Sequence, residues 1–445
     1  MYRFPEDLFT EVRIEKKEYV HYYILNGEVE ANTQSQVIGA LIRVFDGHMW
    51  YTGTTNKPDE IQQEMDNLAA LAQRNPEIYD HPAVKNFGCN KARIIKYDGA
   101  NDVRAVTPEQ REELVEHYLS VCVDESIEEL RSHAGNYIST HVVKEYYSSK
   151  GAEILQDMQR CSVWVGCAFV VDGITTWAGK NLQEMEFNRL LGREREILEE
   201  RDRYLEYARN AVDLEPGDYT CVLSPLATAM FTHESFGHKS ESDYMLNDKT
   251  LREEWVLGKK VGSEKVSICD NGGMDHNGYT PYDDEGNAAG ETWLIRGGVL
   301  TGRLHDSKSA SVLGEGVTGN ARADEYFSVP VVRMTNTYMA AGHDKPEEIV
   351  GGVKDGIYVR DIVCGTGSST FTIRPGLCYR IRDGRICEPV RVNVLIGSVF
   401  QTLFDIDAVG DDLEIFDTFS CGKKGQTVQV SAGGPTVRVR KLTTN

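Results

Sequence analysis

The stretch SPLATAMFTHESFGHKSESD, residues 224–243, places a helix signal and two histidines in a half of the chain otherwise written in short strands and turns. Ser224 offers an N-cap hydroxyl and Pro225 the fixed φ of a first helical residue, so a helix is predicted through LATAMFTHESFG. His233 and His238 lie five residues apart, with Glu234 directly after the first. On a regular α-helix, residues five apart point about 140° away from each other, too far round to share an ion. A π-bulge between Ser235 and Gly237 returns them to one face, and Gly237 is the residue best able to accept that distortion. The competing reading is a solvated, polar helix end.

If both imidazoles hold one ion, Glu234 is placed to act as general base toward a water that the metal acidifies, and peptide hydrolysis is the natural reaction class. A catalytic zinc takes a third protein ligand. Spacing leaves it open among Glu241, Asp243, Cys269, Cys364, Cys378, Cys387 and Cys421. Of these, Cys421 in FSCGKKGQ has the most suggestive setting: Gly422 and Gly425 frame a turn, and the two following lysines favour thiolate over thiol.

Outward from this helix, the second half alternates short β-runs with turn dipeptides: TWLIRGGVLTGRL, LCYRIRDGRICEPVRV and TVQVSAGGPTVRVRKL. The first half mixes element types. EYVHYYILNGEVEA and GALIRVFDGHMWYTG read as strands turning at Asn26-Gly27 and Asp46-Gly47. Ile61, Met65, Leu68 and Ala72 recur at helical spacing, and Thr107, Pro108 and Gln110 compose a capping box. HVVKEYYS and CSVWVGCAFVVDGITTW are further strands, and a long charged helix in EMEFNRLLGREREILEERDRYLEYARNAV is positioned to bridge two lobes. The boundary falls near DLEPGD. The glycines of GEGVTGN have dinucleotide-fingerprint spacing but lack the following helix, and read as a loop. His276, His305 and His343 read as exposed loop histidines.

The 445 residues carry a formal charge of −21, which makes non-specific nucleic-acid binding unfavourable. No run approaches the length of a membrane span, the first residues lack a secretory h-region, and ten cysteines without a CxxC pair suit a reducing cytoplasm. Peptides, metal ions and other subunits are the expected partners, with no nucleic acid and no membrane.

HESFGHKSESD, DDEG at 283–286, RMTNTYM at 333–339 and CGKKGQ from Cys421 followed by GGPTVRV occur together and in order. In these segments the chain resembles the TldD/PmbA family of zinc metallopeptidases. The resemblance covers nearly the whole second half and is weaker in the first, where GALIRVFDGHMWYTGTTN matches best. It implies an α+β fold: an N-terminal α/β domain, residues 1–212, ending in the long charged helix, then a mostly antiparallel β C-terminal domain, residues 213–445, carrying the HExxxH helix. It also implies one zinc ion on His233, His238 and Cys421, with Glu234 as general base. Family members cleave flexible or unfolded peptides and work as dimers, some pairing an active chain with a homologue that lacks the metal motif, so a homodimer or a heterodimer with a related subunit is expected. The alternative is a non-catalytic peptide-binding or regulatory subunit. RMTNTYM is expected to offer a strand edge to an extended peptide, with Thr335 and Asn336 beside its backbone.

Overall fold

A computed structural model describes residues 2–367 and 370–444. Hairpin chemistry builds the first half. Strand β1 (Phe9–Leu25) turns into β2 (Glu28–Phe45) through Asn26 and Gly27, whose φ values of 49° and 86° match the backbone twist of a tight hairpin. Strand β3 (Trp50–Thr55) pairs with the end of β2. The polar run NTQSQ does not break β2, because β1 pairs with it throughout and carries the strand across residues that would otherwise read as a loop. Strands β4 (Lys91–Ile94), β5 (Leu130–Ser148), β6 (Glu153–Val171) and β7 (Ile174–Glu184) complete one sheet, ordered β3-β2-β1-β5-β6-β4 with β7 also on β6. All its pairings are antiparallel except β4 with β6.

Two helices cover part of this sheet. Helix Ile61–Leu71 buries Ile61, Met65 and Leu68 against β2 and β3. Helix Pro108–Cys122 begins with the capping box of Thr107 and Gln110 and buries Val115, Tyr118 and Leu119 on β5 and β6. Gly135 of β5 permits the close approach, since a Cβ there would lie 2.8 Å from Val115. The long charged helix spans Glu194–Asn210. It packs on β7 and reaches the second half, where Tyr204 Oη donates to Asp361 at 3.1 Å, Tyr207 Oη to the Val390 carbonyl at 2.7 Å, and Glu200 accepts from Arg360 at 2.8 Å.

The second half is sheet-rich. A ten-stranded sheet includes Gly217–Leu223, Asp355–Val359, Cys378–Arg382 and Val437–Thr444; a six-stranded sheet includes Ile268–Asn271, Asn336–Met339, Gln426–Gly434 and Glu414–Lys423. One continuous apolar core joins them. Helix Pro225–Phe231 and the turn after it lie within this core, with Phe231 edge-on to Phe371 at 5.3 Å and Phe236 against Trp255 at 4.8 Å.

DDEG locks the halves together. Asp284 accepts from Lys144 of β5 at 2.9 Å, Glu285 faces Arg43 of β2 at 3.5 Å, and the Gly88 amide donates to the Glu285 carbonyl at 3.2 Å. A Cβ on Gly88 would lie 1.8 Å from the Gly286 carbonyl oxygen, so the junction requires glycine there. No described helix is long and apolar enough to cross a membrane.

Candidate metal centre

Ser224 accepts from the Ala227 amide at 3.1 Å and its own hydroxyl donates to the Arg360 carbonyl, which pins the helix start to the neighbouring strand. The α-helix runs to Phe231, then widens into a π-helix over Thr232–Gly237. The diagnostic bond is His238 N–H to the His233 carbonyl, five residues back. It brings the two histidines onto one face, with ring centres 5.1 Å apart and the rings nearly perpendicular, edge to face. Gly237 lets Met334 pack close against the turn, because a Cβ there would lie 2.2 Å from Met334 Sδ and that side chain would have to shift.

From the strand Glu414–Lys423, Cys421 places Sγ 3.6 Å from His238 Nε2. The ligand atoms of His233, His238 and Cys421 all lie within 4.8 Å of one another. Tetrahedral zinc with ordinary bond lengths holds such atoms about 3.3–3.6 Å apart, so a small inward closing suffices. The donor set fits zinc in kind, two imidazoles and a thiol, and His233 Nδ1 is buried with no hydrogen-bond partner among the described residues. Phe419 lies nearly parallel to the His233 ring, 6.5 Å away.

The electrostatics favour a thiolate. Burial alone raises the Cys421 pKa, but His233 and His238 outweigh it and pull the thiol down to about 5. Burial lowers His238, while the Cys421 sulfur and the Glu241 carboxylate raise it to about 10. The cluster thus favours a thiolate beside an imidazolium, and a divalent cation held by these three residues would displace that proton.

The supporting shell is ionic and sealed. His238 Nδ1 meets Glu241 Oε2 at 3.1 Å. Lys423 Nζ donates to the same oxygen at 3.1 Å, to Asp243 at 2.6 Å and to the Val332 carbonyl at 2.8 Å, and its side chain is wholly buried. Burial raises the Glu241 pKa, but His238 and Lys423 prevail and hold it below the usual carboxylate range. Arg333 donates to the Cys421 carbonyl and so fixes the strand that carries the thiol. Glu234 is half-buried, and Gly365 passes close beside it: a Cβ there would lie 3.2 Å from Glu234 Cγ.

Several expectations need correction. The lysines after Cys421 do not act on its thiol; Lys423 is spent on Glu241 and Asp243, and the imidazoles supply the positive charge. Glu241 and Asp243 accordingly support the cluster through hydrogen bonds to His238 and Lys423. Cys269 and Cys378 are buried, and Cys364 and Cys387 exposed, outside the cluster. The strand of Thr335 and Asn336 has no free edge. It is paired to Ile268–Asn271 on one side and to Gln426–Gly434 on the other. Both side chains are used internally, Thr335 Oγ1 on Asp270 at 2.7 Å and Asn336 Nδ2 on the Asn271 carbonyl at 2.7 Å. His305 is buried rather than exposed, held between Ser242 at 2.9 Å and Glu315 at 3.0 Å.

Arg333, Met334 and Phe419 were given no role from the sequence, and Lys423 was given a different one. Period-two alternation in FSCGK was an available signal, since it puts Phe419, Cys421 and Lys423 on one face.

Residues 216–445 match the family described as PmbA/TldA metallopeptidase C-terminal domain, and residues 10–78 match PmbA/TldA metallopeptidase domain 1. A metalloprotease of Synechocystis sp. is 29% identical over 447 residues, covering 98% of this chain and 94% of its own. A zinc metalloprotease TldD homolog of Saccharolobus solfataricus is 32% identical over 327 residues, 70% of this chain and 71% of its own. The crystal structure of TldE from Thermococcus kodakarensis shares the fold, with a TM-score of 0.76 at 14% identity over 98% of this chain and 96% of that one.

Proposed function

The chain belongs to the PmbA/TldD metallopeptidase family, and from that premise we propose that it is a zinc-dependent peptidase acting on flexible or unfolded peptides in the cytoplasm. One zinc ion is held by His233, His238 and Cys421. The observation that carries this reading is the π-helical turn, because only a five-residue hydrogen bond lets histidines at this spacing share a face with Cys421.

When bound, zinc supplies a Lewis acid that polarises the scissile carbonyl and acidifies water. Glu234, next in the chain after His233, accepts the attacking water's proton on its carboxylate and returns it to the leaving amine. Glu241 orients His238 through Nδ1, and Lys423 keeps Glu241 charged and in place. Cys421, as a thiolate, would leave an ion held there less electrophilic than a third neutral imidazole would. The chain divides functionally at residues 212 and 213, the C-terminal part carrying the chemistry. It works as a dimer, with itself or with a related subunit.

The test pairs metal analysis with degradation of an unstructured peptide pool, comparing wild type with Glu234→Gln. The variant should retain one equivalent of zinc and lose at least about 100-fold in cleavage rate. Undiminished cleavage with zinc retained removes Glu234 as the base; wild type that takes up no zinc ends the metallopeptidase reading.

A further inference from the structure

Behind the ribbon of strands Glu414–Lys423 and Gln426–Gly434 lies a cavity of about 460 Å³ between the two halves of the chain. Side chains alternate along a strand. Phe419 and Cys421 face the histidines, so Ser420 points the other way, into this cavity, beside its cross-strand neighbour Gln429. The opposite wall is the face of the N-terminal sheet that carries Arg160 and Gln183. The proposed hydrolysis uses none of these groups.

Two donors on that wall lack acceptors. Arg160 Nε and Gln183 Nε2 are sealed from solvent with no hydrogen-bond partner among the described residues. Burial, and then the charge of Arg322, push the Arg160 pKa down to about 10. Arg322 lines the same cavity and gives its N–H groups to the Met334 and Gln429 carbonyls at 2.6 and 2.8 Å rather than to a carboxylate. The acidic neighbours are committed elsewhere: Asp284 to Lys144 at 2.9 Å, and Asp324 to Ser328 and the Thr427 amide at 2.7 and 3.0 Å. Glu15, the remaining acidic group of the cavity, lies 3.8 Å from Lys144, and burial, partly offset by Lys144 and Arg13, raises its pKa. Arg160 and Gln183 are each only part-buried, but Arg160 Nε and Gln183 Nε2 are sealed donors without an acceptor, and an oxyanion entering the cavity would satisfy both.

We propose that this cavity binds a ligand through a single carboxylate, paired with the guanidinium of Arg160 and accepting a hydrogen bond from Gln183 Nε2. The planar fork of one free arginine matches one carboxylate in geometry and charge. A phosphate dianion would bring a second negative charge toward Asp284 and Asp324. The carboxylate belongs either to the C-terminus of a peptide or to a small organic acid. This inference does not depend on the hydrolytic reading, because its readout is binding without turnover.

The experiment is calorimetric titration of the full chain carrying Glu234→Gln, which prevents probe cleavage. The probes are acetyl-trialanine with a free C-terminus, its C-terminal amide, propionate and inorganic phosphate. At least one of the two carboxylates should bind, at least tenfold more tightly than the amide, and Arg160→Met should weaken it at least tenfold. Stronger binding of the peptide acid identifies a chain end as the source; stronger binding of propionate identifies a small acid. Amide binding equal to acid, phosphate binding tighter than either carboxylate, or no binding by any probe overturns the proposal. So does carboxylate binding that survives Arg160→Met and vanishes on chelation, which would place it at the metal cluster. Should Arg160→Met not fold, the melting temperature of the chelated Glu234→Gln chain decides: it must rise with the preferred carboxylate and not with the amide, and equal responses reject the site.

Discussion

Replacing Gly237 with alanine tests whether steric clearance over Met334 sets the π-helical turn. The added Cβ would start 2.2 Å from Sδ and 3.1 Å from Cε of Met334, where ordinary contact needs about 3.5–4 Å, so one partner must move by roughly 1.5 Å. Met334 is fully buried, and its carbonyl is tied to Arg322 at 2.6 Å, which leaves little room to retreat. Overpacking of this kind costs about 1–3 kcal/mol, and alanine returns up to about 1 kcal/mol of helix propensity, for a net loss of about 1–2 kcal/mol. The displacement falls on the residue before His238, so zinc affinity should fall at least about tenfold, equivalent to about 1.4 kcal/mol. A double-mutant cycle isolates the clash. Met334→Ala alone should cost about 2–5 kcal/mol, and in that background Gly237→Ala should be neutral or stabilising, a favourable coupling of at least about 1 kcal/mol. Urea denaturation of the four proteins in chelator, with zinc titration of each, measures both quantities. A Gly237→Ala cost below about 0.5 kcal/mol that is unchanged by Met334→Ala would refute the steric argument.

Two further outcomes concern buried charge. Glu241→Ala leaves His238 Nδ1 without its acceptor and Lys423 with Asp243 alone, so it should destabilise by about 2–4 kcal/mol and loosen zinc about 10–100-fold; denaturation midpoints and metal competition report this, and a loss under about 1 kcal/mol counts against an ionic scaffold. Burial, then the nearby Asp306 carboxylate, raise Glu285 from 4.5 to about 7, so its charged form is the disfavoured one. The wild type therefore bears no penalty below pH 4.5, an increasing one as pH rises toward 7, and the full penalty above it. Glu285→Gln removes this titration, and its stability relative to wild type should rise by about 1–3 kcal/mol between pH 5 and pH 8. Melting curves at the two pH values check it, and a constant difference would contradict the assignment.

Where a residue's role depends on its immediate neighbours, the sequence was sufficient. Asn26-Gly27 closes β1 onto β2, Thr107 and Gln110 cap their helix, and Ser224 and Pro225 start the helix of the histidines, because each is governed by φ preferences and hydrogen bonds spanning a few residues, whereas the five-residue spacing with Gly237 only permitted the π turn that the structure shows. The family resemblance in HESFGHKSESD and CGKKGQ was legible for the same reason, being carried in short contiguous segments. Other features depended on pairings between distant residues. Nothing local says that NTQSQ continues a strand, that RMTNTYM lies between two neighbours rather than at an edge, or that Lys423 serves Glu241 instead of Cys421. Residue spacing alone left several candidate third ligands. Only the folded chain brings Cys421 across more than 180 residues to His238 and leaves Arg160 Nε facing a cavity without an acceptor, because burial and hydrogen-bond satisfaction are properties of the packed interior.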